Sequence, residues 1–266
     1  MTSLTAWISG VGLIGPGLPN WAEGERILAG SAPYEPRPTV LPVLECLPAA
    51  ERRRTGTTVR LALAVGLEAT AHAAADAAQL PAVFSSSGGD GQNCHEICRV
   101  LASADRQISP TRFHNSVHNA AAGYWGIATG ATPASNALCA YDASFAAGLL
   151  EALTQLAVDE TAVLLIAYDA SYPEPLRSVR PIPDAFGVAL LLSPGPLASS
   201  LARLTAALSE RPAERLADAR LETLRAGIPA ARTLPLLERL ARRESGAAVI
   251  DYLDDVRLGL EVSACR

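Results

Sequence analysis

Residues 135–153 read SNALCAYDASFAAGLLEAL, and this stretch decides the fold. Ser135 to Leu138 has the character of a short strand, and Phe145, Leu149 and Leu153 then recur every four residues, as on one face of a helix. The chain therefore turns from strand to helix at about Cys139. A thiol at the start of a helix feels the positive end of the helix dipole, which favours the thiolate. A free cysteine is also a small apolar side chain that packs well in a core, and that is the competing reading of Cys139. A strand-to-helix junction at the centre of an α/β fold predicts a largely buried Cys139.

Outward from this junction, strand-like and helical patterns alternate. PAVFSSSGGDGQ (81–92) reads as a buried strand ending in a glycine-serine loop, and NCHEICRVLAS (93–103) as a helix. SPTRFHNSVHNAAAGYWGIATG (109–130) is a loop leading into a helix of small residues. TAVLLIAYDAS (161–171) and FGVALLLSP (186–194) are unbroken apolar runs, as in strands covered on both faces. Near the start, AWISGVGLIG (6–15) suits a buried strand entering a tight turn, and AAERRRTGTTVRLALAVGLEATAHAAADA (49–77) reads as one long alanine-rich helix. The proline-rich segment 32–48 between them is extended loop. After Pro196, ARLTAALS (202–209) and GAAVIDYLDDVRLGLEVSA (246–264) supply strands around two charged helical stretches. The class is α/β, with residues 1–195 as the main domain and 196–266 packed on it.

Hydrophobic residues make up 49% of the chain, enough for a sizeable core, and the net charge of −5 offers no basic field for nucleic acid. Every basic residue is arginine. The N-terminal stretch has no basic leader region, and glycines interrupt it well short of a membrane span, so a soluble cytoplasmic protein is expected. Cys46, Cys94, Cys98, Cys139 and Cys265 lack the dense spacing of a disulfide framework. Reduced thiols are the expectation.

Five segments taken in order resemble the β-ketoacyl synthases. WISGVGLIGPG with ILAGSAPY is similar to that family's opening strand, glycine turn and helix end. Asn119, Ala121, Ala122 and Gly123 stand where it has an asparagine, two small residues and a glycine. SNALCAYDASF resembles its nucleophile elbow, while AVLLIAYDASYPEPL and AFGVALLLS stand in its next two strands. The pairing of HNSVHNAAAGYW with CAYDASFAAGLLEA is similar to the short chain-length-factor-like proteins associated with aryl polyene pathways. The resemblance implies a thiolase-like fold, essentially the N-terminal half of the duplicated αβαβα ketoacyl synthase fold with a shortened C-terminal part. It also implies a complete β-ketoacyl synthase as heterodimeric partner, or a second copy in a homodimer, with an acyl carrier protein nearby and no cofactor. Cys139 takes the nucleophile position, and the segment from Ser109 to Ala140 is the expected interface or acyl-tunnel region. The residues singled out there are Phe113, Ser116, Val117, Asn119, Tyr124 and Trp125, with Tyr141 beside them.

The same comparison shows what this sequence lacks. The family's catalytic histidines and lysine lie after its nucleophile, whereas His72, His95, His114 and His118 all precede Cys139 and lysine is absent. Tyr141 and Asp142 also replace a small hydroxyl and a glycine, and an anion beside the thiol works against thiolate formation. An auxiliary role is therefore expected, the alternative being an acyltransferase or thioesterase using Cys139 with His114 or His118 as base. On a helix those two histidines would share a face. Cys94, His95 and Cys98 with Asp90 are read as a helix face rather than a metal site, because closed zinc sites come with paired knuckles. SSSGGDGQ lacks the ending of a P-loop, and no GxSxG elbow is present. Arg52, Arg53 and Arg54 suit either an acidic carrier protein or a solvated helix start.

Overall fold

The computed structural model describes residues 3–265. One eight-stranded sheet runs through the molecule in the order β3-β2-β4-β5-β1-β6-β8-β7. Its strands are β1 (Leu4–Ile14), β2 (Ala82–Ser85), β3 (Ser135–Leu138), β4 (Val163–Asp169), β5 (Phe186–Ser193), β6 (Ala202–Ser209), β7 (Gly246–Asp251) and β8 (Arg257–Ala264). The helices are α1 (Trp21–Leu28), α2 (Ala49–Arg52), α3 (Thr57–His72), α4 (Gly91–Leu101), α5 (Pro110–His114), α6 (Ala120–Thr129), α7 (Ser144–Asp159), α8 (Leu176–Val179), α9 (Ala219–Gly227) and α10 (Leu234–Arg242). β2 pairs in parallel with β3 and β4, and all the other pairings are antiparallel. Parallel neighbours need long crossovers, and here α4 to α6 and then α7 supply them.

Helices cover both faces of the sheet, which explains the unbroken apolar runs. Along β4, Val163, Leu165 and Ala167 join Phe145, Leu149 and Leu153 of α7. The alternate residues Leu164, Ile166 and Tyr168 join Leu61 and Val65 of α3 and Trp125 of α6 on the opposite face. A strand buried on both sides has no solvent face to mark with polar residues. The glycines of β1 answer to the same packing. A Cβ on Gly12 would lie 2.0 Å from the Val65 carbonyl oxygen, and one on Gly10 2.2 Å from that of Ala69. Only glycine lets the backbone of α3 rest directly on the strand.

Residues after Pro196 extend this sheet instead of building a second one. β6 pairs with β1, β8 with β6, and β7 with β8, while α10 packs beside α1. Two sequence expectations need correction. The pattern over 49–77 is not one helix, because it breaks between Arg52 and Thr57, where a Cβ on Gly56 would sit 2.3 Å from Asp90 Oδ2. His114 ends α5 and His118 precedes α6, so the two share no helix face. Among the described residues, no helix is long and apolar enough to cross a membrane.

Candidate functional site

The elbow lies where the sequence places it, between β3 and α7, with a 3-10 turn at Tyr141–Ala143. Ser144 clasps it: its Oγ accepts from Ala140 N at 3.0 Å and donates to the Tyr141 carbonyl at 2.7 Å. Tyr141 holds φ at +52°, a conformation that costs a non-glycine residue about 1 kcal/mol. The expected burial of Cys139 is wrong, for the residue is exposed. Its strand, β3, is the edge of the sheet and not its centre, so the junction opens to solvent.

The Cys139 thiol donates to the carbonyl of Ser87 at 3.2 Å, in the loop after β2. That loop is anchored by Asp169 at the end of β4. Ser87 N and Ser87 Oγ donate to Asp169 Oδ1 at 2.8 and 2.6 Å, and Ala230 N donates to Oδ2 at 2.9 Å. Asp169 is buried, and desolvation pushes its carboxyl up to about 6 although these donors pull it back down. The Tyr172 ring wedges against the same loop, since a Cβ on Gly88 would lie 1.7 Å from its phenol oxygen.

Asp142 does not act as the bare anion expected beside the thiol. Arg180 meets it at 2.6 Å and Arg232 at 2.9 Å, and the Arg180 guanidinium stacks 3.7 Å from the centre of the Tyr141 ring. Arg232 also lies 3.8 Å from Asp251 of β7, which pairs with Arg225 at 2.7 Å. The elbow is thus tied by charge to the C-terminal strands.

His118 Nε2 contacts the Ser86 carbonyl at 3.2 Å, His114 packs edge-on against Tyr124 at 6.4 Å, and His72 Nδ1 accepts from Val11 N at 3.1 Å. None of these histidines hydrogen-bonds Cys139. Of the other residues singled out, Phe113, Ser116, Val117, Asn119 and Tyr141 are exposed. Tyr124 and Trp125 are buried and serve the chain's own core, Tyr124 donating to Asn115 Oδ1 at 3.2 Å and Trp125 meeting Phe84 edge-on. They are not surface anchors. Cys94 and Cys98 lie exposed on α4, and no group of three or more His, Cys, Asp or Glu among the described residues is placed to hold a metal. Sequence reasoning missed Ser87, Asp169, Arg180 and Arg232. Only Asp169 carried a signal, as an acid closing the apolar run VLLIAYD.

A cysteine elbow on a five-strand mixed sheet between two helical layers, continued here by three further strands, defines the thiolase-like ketosynthase class. The chain belongs to the family described as "Beta-ketoacyl synthase, N-terminal domain", whose sequence model matches residues 21–249. A structure of a ketosynthase (ApeO) in complex with its chain length factor (ApeC) from Xenorhabdus doucetiae is 26% identical and superposes with a TM-score of 0.74, over 97% of this chain and 99% of that one. The ishigamide ketosynthase/chain length factor aligns at 14% identity and TM-score 0.71, over 98% of this chain and 100% of that one. The type II polyketide complex AntDE:AntF aligns at 11% identity and TM-score 0.75, over 99% and 100%. The last two speak to the fold alone. No curated protein matches the chain.

Proposed function

We propose that this protein is a chain-length-factor-like partner of a complete β-ketoacyl synthase in aryl polyene or fatty-acyl assembly, and is not a condensing enzyme by itself. One observation carries the reading: the elbow cysteine is retained, yet its thiol donates to a backbone carbonyl and no histidine hydrogen-bonds it. A condensing site needs a thiolate and groups that drive decarboxylation and hold an oxyanion, and no histidine or lysine follows Cys139 in this sequence. The 26% identity to a ketosynthase–chain length factor complex supports the same role. Residues 1–195 would form the part that meets the synthase, with 196–266 bracing it.

The docking face proposed is the region around β3. Among the described residues this edge strand has no neighbour on its outer side, and Phe113, Val117 and Tyr141 are 68%, 53% and 60% exposed. Exposed apolar side chains beside an unpaired strand edge suit a partner of the same fold. Co-expression with a complete synthase tests this: the two should purify together, and Phe113→Glu with Val117→Glu should abolish co-purification while the chain stays folded.

A second reading, a free-standing acyltransferase or thioesterase, is favoured by one contact: His118 and Cys139 bind the adjacent carbonyls of Ser86 and Ser87. Incubating the isolated chain with an acyl carrier thioester separates the readings, since transfer or hydrolysis that is lost in Cys139→Ser would establish the enzyme.

A further inference from the structure

We propose that Asp169 is a positioning residue for Cys139: acting through Ser87, it holds the carbonyl that receives the S–H and so keeps the elbow cysteine as an unreactive thiol. Cys139 is an exposed residue, so burial in the core does not limit its chemistry. What limits it is its partner. The thiol donates to the Ser87 carbonyl at 3.2 Å, and a thiolate in the same place would have no proton to share and would face the negative end of the carbonyl dipole. A mobile loop would simply turn that carbonyl away. This loop is fixed on three sides. Ser87 is pinned to Asp169 Oδ1 through both its backbone N–H at 2.8 Å and its hydroxyl at 2.6 Å. Asp169 is itself held through Oδ2 by Ala230 N at 2.9 Å. The next residue, Gly88, is closed off by Tyr172, whose phenol oxygen a Cβ there would meet at 1.7 Å.

Several charged and titratable groups face the junction. Asp169 and Tyr172 come from β4 and the segment after it, His118 from the segment before α6, and Asp142 from the elbow. The cations, Arg180 and Arg232, are both paired with Asp142 at 2.6 and 2.9 Å. Each guanidinium therefore already has a carboxylate within ion-pair distance, Arg232 lying 3.8 Å from Asp251 as well. The lock is independent of whether the chain pairs with a synthase, since it is built wholly within one chain.

The test is alkylation of the full-length protein with iodoacetamide at neutral pH, followed peptide by peptide by mass spectrometry, with exposed Cys46 as internal reference. Cys139 should label roughly tenfold more slowly than Cys46, the effect of about one hydrogen bond's worth of free energy. Ser87→Ala removes the hydroxyl tether and should bring the two rates within about threefold, whereas Ser87→Thr restores the tether and should restore the slow rate. Asp169→Ala removes the acceptor of both Ser87 donors and should act as Ser87→Ala does, and if it fails to fold, the Ser87 pair decides alone. A spectroscopic readout accompanies the rates. The S–H stretching band assigned by subtracting Cys139→Ser should show a hydrogen-bonded thiol in the wild type and a free one in Ser87→Ala. Equal labelling of Cys139 and Cys46 in the wild type, or an S–H band unmoved by Ser87→Ala, overturns the proposal.

Discussion

At the residue scale, the elbow is held by two local oddities whose costs are separable. Tyr141 pays for its left-handed backbone in exchange for the Arg180 stack. Tyr141→Ala keeps the strain and loses the stack, so it should lower stability by about 0.5–1 kcal/mol. Tyr141→Gly loses the stack and relieves the strain, so urea denaturation should place it about 1 kcal/mol above the alanine variant. Asp169 gives a second, pH-dependent prediction. Its carboxyl titrates near 6 in the fold against an ordinary 3.8, so the folded state binds a proton more readily than the unfolded chain. Its contribution is complete below the ordinary value and is lost as pH rises through 6. Between pH 7 and pH 5 the wild type should therefore gain about 1 kcal/mol relative to Asp169→Asn, measured as the difference between the two urea titrations. A steeper gain in the variant would contradict this.

At the scale of elements, the strands and the elbow were legible because burial and turning leave a pattern in the chain. VLLIAYD and FGVALLLS read as strands covered on both faces, and both are buried throughout. What was not legible followed from placement across the sheet. Nothing in SNALCAYD tells whether its strand is central or at an edge, and that fact alone reverses the expected burial of Cys139. The partners of Asp142 were invisible for a like reason, since Arg232 is 90 positions away in sequence. The break before α3 falls at Gly56, whose extended backbone caps the helix and leaves no room for a side chain beside Asp90, from a different segment. Tyr124 and Trp125 looked like interface aromatics because their segment resembles the family's dimer and tunnel region, and helix α6, with apolar and small residues all round, has no face that would orient them. The β1–α3 contact yields the prediction at this scale. Gly12→Ala would drive a methyl into the Val65 carbonyl and should cost upwards of about 2 kcal/mol, read as a fall in the thermal midpoint. An unchanged midpoint would mean that helix and strand do not meet backbone to backbone.

At the scale of the whole molecule, one sheet carries the entire chain, with the free β3 edge at one end. At the other end β7 is partly covered, Glu214 N donating to the Val249 carbonyl at 2.7 Å. The two ends thus differ in what they offer a partner, and β3 carries both the elbow and the exposed apolar side chains. The most direct measurement of the proposed role is reconstitution of this chain with a complete β-ketoacyl synthase, followed by light scattering on the mixture and by a condensation assay with acyl and malonyl carrier proteins. A one-to-one complex should form and yield condensed product, while this chain alone yields none. Condensed product from this chain alone, or elution of the two proteins as separate species, would contradict the proposed role.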